Sequence, residues 1–192
     1  YNIMEDNLQC IIKWLHQNGW EVGLHGSYRS YNNYSLLKKE KQVLEKILEV
    51  KVSGIRQHYL RLGKHTWEMQ NNLGFKYDLT AGSNHKIGFN KKYFPFYPVK
   101  KNKNFMAIHT AIMDKCLMKK KDAVNKCREL IEEADKNNAL LVINWHNLTF
   151  NENERPGYSK MYEYIIDECK KKNAVFLTAQ QVYKRFKNEN SY

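Results

Sequence analysis

Residues 20–33 read "WEVGLHGSYRSYNN", and this segment indicates what kind of fold the chain has. A short apolar run ends at His25, and glycine, serine, tyrosine and asparagine residues follow at once. The pattern predicts a strand over 20–25 that leaves the core at His25. Because α/β proteins place functional groups at the carboxyl ends of their strands, His25 is the first candidate site residue.

Helices and strands alternate on both sides of this segment. Apolar residues at helical spacing predict helices over 6–18, 35–50, 66–74, 122–138 and 159–173. Strands are predicted over 20–25, 52–58, 76–82 and 139–147, and residues 174–186 predict a last strand that passes into a terminal helix. Apolar strands that alternate with helices are typical of parallel sheets covered by helices. No glycine-rich phosphate motif follows a strand, which favours a (β/α) barrel over a nucleotide-binding open sheet.

Composition narrows the class of protein. The 192 residues are most simply one domain, 1–192, with a formal net charge of +12. Lysines are scattered among glutamates and asparagines, which favours a solvated surface over a nucleic-acid groove. Binding to nucleic acid is therefore the weakest of our three functional hypotheses. No apolar run approaches the roughly 20 residues that a membrane-spanning helix needs, so we expect no membrane span.

The cysteines indicate ordinary thiols. No pair has CxxC spacing, which argues against a zinc ribbon and against a disulfide scaffold; the four are Cys10, Cys116, Cys127 and Cys169. The first residues also lack the basic and apolar segments of a secretion signal. Unpaired thiols and no visible signal favour a cytoplasmic location.

Polar residues end several of the predicted strands. His25 and His58 follow two successive strands, Asp78 lies in the next, and His146 follows the apolar run "LLVINW". If the strands run parallel, these four residues converge on one rim, with Arg56 nearby, and form a site. Imidazole is a good zinc ligand, and zinc can generate hydroxide near neutral pH. We therefore expect zinc, or another divalent metal, at His25 and His58.

At these residues the chain resembles the polysaccharide deacetylase family, whose domain is also called the NodB-homology domain. The matching segments occur in order over residues 20–186: "GLHGSYRSYNN", "GIRQHYLR", "GFKYDLTAG", "IGFN", "PFYPV" and "INWHN". The resemblance implies a distorted, incomplete (β/α) barrel, a divalent metal that is usually zinc, and removal of acetyl groups from N-acetylated sugars. In that family a metal-activated water attacks the acetamide carbonyl, and an aspartate acts as base.

The resemblance also assigns roles to individual residues. His25 matches the first histidine of the metal motif, and Arg56 matches the arginine that orients the catalytic aspartate. Asp78 lies near the motif whose acid tunes the catalytic histidine. His146 in "INWHN" matches the late histidine that protonates the leaving amine.

The sequence departs from the family pattern in two places. The family's first strand ends in paired aspartates, and this sequence begins without such a strand, so we expect the first strand of the barrel to be missing. Arg29 occupies the position of the second metal histidine, and arginine stays protonated and binds no zinc. Either an N-terminal segment and another residue, with His58 as our candidate, complete the site, or the fold persists without a conventional metal site.

Two functional hypotheses follow from these observations. The first is a deacetylase-like hydrolase acting on an N-acetylated sugar of a bacterial surface glycan or its precursor. The second is a catalytically inactive deacetylase-like domain that binds glycan or a protein partner. Tyr28, Tyr31 and Tyr34 either face a sugar or fill a loop, and the sequence leaves both open.

Overall fold

A computed structural model describes residues 3–100 and 102–189. These residues form two compact units. The first unit comprises the described residues within Tyr1–Thr80, Tyr97–Ala107 and Leu177–Tyr192, and the second comprises Ala81–Phe96 and Ile108–Phe176. The single domain expected from the sequence stays a prediction.

The described part of the first unit contains a four-stranded sheet and four α-helices. Its strands are β1 (Leu24–Gly26), β2 (Gly54–Gln57), β3 (Tyr77–Asp78) and β4 (Met106–Ala107), and its helices are α1 (Asp6–Gln17), α2 (Tyr34–Leu48), α3 (Thr66–Asn72) and α7 (Ala179–Glu189). All neighbouring strands are parallel, in the order β1-β2-β3-β4. His25 lies opposite Arg56, and Ile55 lies opposite Asp78. Because the strands are parallel, the predicted strand-end residues of this unit lie at the carboxyl ends of neighbouring strands, on the same side of the sheet.

Local interactions explain why these elements begin and pack where they do. The side chain of Asn33 caps α2 by accepting a hydrogen bond from the backbone N–H of Leu36 at 3.0 Å. Leu37 and Leu44 of this helix are buried, and they join a core with residues of β1 and β2. Gly54 is required in β2 because a Cβ there would overlap the ring of Tyr77 on the neighbouring strand.

The second unit contains a two-stranded parallel sheet and three helices. Its elements are β5 (Ile112–Met113), α4 (Asp114–Leu117), α5 (Ala123–Lys136), β6 (Ile143–Asn144) and α6 (Tyr158–Lys171). α5 begins after Asp122, as the sequence predicted. Ile112 and Ile165 are fully buried and centre a core to which both strands and the two long helices contribute. Cys116, Cys127 and Cys169 are buried free thiols, and Cys10 is a free thiol at the surface.

The structure confirms an α/β fold with parallel strands, but the strands are shorter than predicted, and the predicted last strand does not form. Only Ile143–Asn144 of the segment 139–147 forms a strand, and both residues are partly exposed. Residues 174–178 form no strand, and the side chains of Val175 and Phe176 are 72% and 53% exposed. An apolar, β-branched composition gives a segment a high strand propensity. A strand also needs a neighbouring strand to which its backbone can hydrogen-bond, and the composition of the segment does not show whether one is present. Within 3–100 and 102–189, no helix combines the length and apolar character that crossing a membrane requires.

Candidate functional site

The first unit brings together the two histidines predicted to bind metal. His25 lies in β1, and His58 begins the turn that follows β2. Nε2 of His25 lies 3.0 Å from Nδ1 of His58, and Nδ1 of His25 lies 3.1 Å from the backbone oxygen of Arg56. Because a carbonyl oxygen only accepts, Nδ1 of His25 carries the proton of the neutral ring. Nε2 of His25 then accepts a hydrogen bond from Nδ1 of His58.

This pair offers two nitrogen ligands, whereas a catalytic zinc site takes three protein ligands. Among the described residues, no group of three histidine, cysteine, aspartate or glutamate side chains is placed to hold a metal ion. Arg29 is exposed, and its cationic side chain cannot provide the third ligand. The donor set of this unit therefore does not fit a complete zinc site. A metal ion bound by His25 and His58 would replace the hydrogen bond between their rings.

Gly26 explains why a glycine follows His25. A Cβ at position 26 would lie 2.8 Å from Oγ of Ser30 and would overlap the side-chain amide of Gln57. The hydroxyl of Ser30 donates to Oε1 of Gln57 at 3.0 Å, and both residues are fully buried. The sequence "HGS" therefore allows the loop after β1 to pack directly on β2.

Asp78 is fully buried among hydrogen-bond donors of its own unit. Its carboxylate accepts from Nε1 of Trp67 at 2.9 Å, from Nε2 of Gln70 at 3.2 Å and from the backbone N–H of Thr80 at 3.0 Å. The hydroxyl of Thr80 also donates to it. Burial raises the pKa of Asp78 to about 6, against the opposing effect of these hydrogen bonds. The contacts describe a carboxylate that joins β3 to α3.

Arg56 lies next to Asp78 in this arrangement. Its Nε donates to the backbone oxygen of Leu79 at 3.3 Å. Burial lowers the pKa of Arg56, and the charge of Asp78 opposes that shift. That Arg56 orients a catalytic aspartate stays a prediction.

The second unit holds His146 against a buried aspartate. Nδ1 of His146 lies 2.9 Å from both carboxylate oxygens of Asp114, and the backbone N–H of His146 donates to Oδ2 at 2.8 Å. The side chain of Asp114 is fully buried, and that of His146 is 41% exposed. A carboxylate on Nδ1 fixes the ring and its tautomer, which leaves Nε2 to take up or release a proton. We call this pair the Asp114–His146 dyad.

The sequence prediction did not include Asp114, whose carboxylate contacts the ring of His146. The signal was present in the sequence: the apolar run 105–113 ends directly at Asp114. The same strand-end rule that selected Asp78 would have selected it. That Asp78 tunes the catalytic histidine stays a prediction. That His25, His58, Asp78 and His146 share one rim stays a prediction.

The tyrosine-rich loop divides between structural and exposed residues. Asn33 caps α2, and Tyr31 is half-buried against Arg61. The side chains of Tyr28 and Tyr34 are 55% and 42% exposed. The loop-filling interpretation therefore holds for Tyr31, whereas Tyr28 and Tyr34 are exposed at the surface.

Comparison with solved structures places this fold among known proteins. The chain is similar to a protein assigned as a polysaccharide deacetylase from Mycobacterium smegmatis, at 19% identity and a TM-score of 0.60, over 98% of this chain and 70% of that one. It is also similar to Puue allantoinase, at 15% identity and a TM-score of 0.71, and to a protein assigned as a polysaccharide deacetylase from Pseudomonas aeruginosa PAO1, at 12% and 0.65. Each of these two matches covers 97% of this chain and 65% of the other.

These likenesses show the fold, which is that of polysaccharide deacetylases and allantoinase. The predicted class, an α/β chain with the parallel strands of an incomplete (β/α) barrel, is confirmed. No protein-family model and no curated protein matches the sequence. The chain spans 65–70% of the length of the three solved structures.

Proposed function

We propose that this chain is a deacetylase-like hydrolase that removes acetyl groups from N-acetylated sugars, in a bacterial surface glycan or its precursor. The observation that carries the proposal is the Asp114–His146 dyad, in which a buried carboxylate lies 2.9 Å from Nδ1 of a partly exposed imidazole. The structural likeness to proteins assigned as polysaccharide deacetylases supports the substrate class.

The arrangement of the Asp114–His146 dyad is suited to a histidine that acts as a proton donor. When an amide is cleaved, the departing nitrogen must gain a proton, and a positioned imidazole supplies one efficiently near neutral pH. Asp114 stabilises the protonated ring and holds it in one orientation. In this proposal Nε2 of His146 delivers the proton to the sugar amine as the acetyl group leaves.

The metal is a separate part of the proposal. We place zinc, or another divalent ion, at His25 and His58, whose facing nitrogens are 3.0 Å apart. Two imidazoles are one ligand short of a catalytic zinc site, so this part depends on a third ligand that is not among the described residues.

Acetate release from a chito-oligosaccharide tests the activity. The protein is loaded with zinc, and the rate is compared between wild type, His146→Ala and His109→Ala. We expect His146→Ala to lose about 10²–10⁴-fold in rate, which is the usual contribution of a general acid. His109 is the matched control, because it is a half-buried histidine of the same unit whose ring bonds the backbone oxygen of Gly88. Equal rates in wild type and His146→Ala, at equal thermal stability, would refute the proposal.

The incomplete donor set favours a second candidate function. A deacetylase-like domain without a complete metal site would bind a glycan or a protein partner and hydrolyse nothing. This second candidate function predicts that the protein binds the chito-oligosaccharide and releases no acetate at any zinc concentration. The same assay therefore separates the two candidates.

A further inference from the structure

The turn after β2 has an unusual backbone. Tyr59 and Leu60 have φ angles of 55° and 49°, which is the left-handed region. Bulky residues rarely adopt this strained conformation, and it persists only where the surrounding structure imposes it. Two of them in succession, directly after His58, require a neighbour that holds the turn in place.

Arg61 is that neighbour. Its guanidinium lies 4.1 Å from the ring centre of Tyr28 and 4.0 Å from that of Tyr31. It donates to the backbone oxygen of Tyr28 at 3.0 Å and to the hydroxyl of Tyr31 at 2.9 Å. Its backbone N–H donates to the oxygen of His58 at 3.2 Å. The residue that follows the strained turn is therefore fixed between the two tyrosines of the β1 loop.

Two aromatic rings next to this anchored turn, those of Tyr28 and Tyr59, are exposed at the surface. Tyr59 is 63% exposed and Tyr28 is 55% exposed, although aromatic side chains favour burial. Their ring centres are 6.0 Å apart and nearly perpendicular, at 87°. The ring of His58 lies 4.4 Å from that of Tyr59 and 6.4 Å from that of Tyr28. We call Tyr28 and Tyr59 the tyrosine platform.

We propose that the tyrosine platform binds a pyranose ring of an N-acetylated glycan by stacking, and that Arg61 positions it. This inference rests on the proposed function and adds the residues that hold the sugar. Backbone strain concentrates at ligand-binding sites, where it pre-organises the contact. An exposed aromatic ring offers an apolar face to the C–H face of a sugar, and its hydroxyl offers a polar handle. Arg61 stacks on Tyr28 and Tyr31 and donates to both, which a lysine could not reproduce.

Binding of chitotetraose, measured by isothermal titration calorimetry without added metal, tests the platform. We expect Tyr59→Ala and Tyr28→Ala each to weaken binding on the order of tenfold. Tyr59→Phe keeps the ring and should retain most of the affinity. Tyr34→Ala is the matched control, because Tyr34 is an exposed tyrosine of the neighbouring segment that has no contact with Arg61 among the interactions described above. It should bind as wild type does.

A double-mutant cycle tests the positioning role of Arg61. If Arg61 acts through Tyr59, Arg61→Ala and the double variant with Tyr59→Ala should bind equally weakly. A merely structural role would give additive losses. Undetectable binding by wild type, or unchanged affinity in folded Tyr59→Ala, would overturn the inference. Loss of binding in Tyr59→Ala from a wild type that binds but releases no acetate would support the platform and refute the hydrolase.

Discussion

Asp78 and Asp114 are both fully buried at strand ends, one in each unit, and their surroundings differ. Asp78 accepts from an indole, an amide and a threonine, all of which are neutral donors. Asp114 accepts from the ring and backbone of His146, and from the backbone N–H of Lys115 at 2.6 Å. A strand-end aspartate is therefore not catalytic by position alone. The groups that they contact distinguish the two carboxylates: Asp78 joins β3 to α3, and Asp114 holds the ring of His146.

The histidines, like the two aspartates, differ in the groups that they contact. His25 and His58 bond each other, so their facing nitrogens can share a proton or a metal ion. His146 bonds a carboxylate, so its ring is held for proton transfer. The first arrangement suits ligands, and the second suits a general acid.

The largest expected difference between the His25–His58 pair and the Asp114–His146 dyad is in their contribution to zinc affinity, which a zinc titration measures. Removing either imidazole should weaken zinc binding about hundredfold or more, since even residues that only orient zinc ligands contribute 10–100-fold. We therefore expect His25→Ala and His58→Ala to lose zinc to a similar extent, as measured by competition with a chromogenic chelator.

His146→Ala serves as the control in this titration, and its zinc affinity should equal that of wild type. Zinc lost from His146→Ala but kept by His25→Ala would reverse the roles we assign. Wild-type affinity for zinc in all three variants would show that His25 and His58 do not bind the metal.

The pH dependence of stability gives a smaller effect, and it concerns Asp78. Burial raises its pKa from the ordinary 3.8 to about 6, so the folded protein binds more protons than the unfolded chain between these values. Stability should fall as pH rises from about 4 to 6, by roughly 2–3 kcal/mol, and then level off. Asp78→Asn should lack this component of the slope. Urea denaturation of both proteins from pH 4 to 7 measures it.

A wild-type curve parallel to that of Asp78→Asn would contradict the raised pKa, because it would show that the hydrogen bonds from Trp67, Gln70 and Thr80 cancel the effect of burial on the carboxyl group. Tyr34→Ala retains the carboxylate and should keep the wild-type slope, which makes it a suitable control.

Local patterns in the sequence predicted much of the fold. Helical spacing located α1, α2, α5 and α6 to within a few residues, since an amphipathic face repeats over several turns. The polar ends of 20–25 and 52–58 predicted the meeting of His25 and His58, because parallel neighbours bring their carboxyl ends to one edge.

Other features depend on contacts between distant segments and could not be predicted. The failure of 174–178 to form a strand depends on the absence of a ladder partner among the described residues. The strand-end rule would have selected Asp114, but its contact with His146 joins residues 32 positions apart, across the two strands of the second unit. The left-handed turn at Tyr59 follows from the packing of Arg61, and no glycine or asparagine marks it.

The most direct test of the dyad is the rate of acetate release by Asp114→Asn. The asparagine keeps the size of the side chain, but it carries no negative charge to stabilise the protonated ring of His146, which is the form that releases a proton from Nε2. We predict a protein with native circular dichroism that releases acetate at least about hundredfold more slowly than wild type. A folded Asp114→Asn protein that works at the wild-type rate would contradict the role of the dyad.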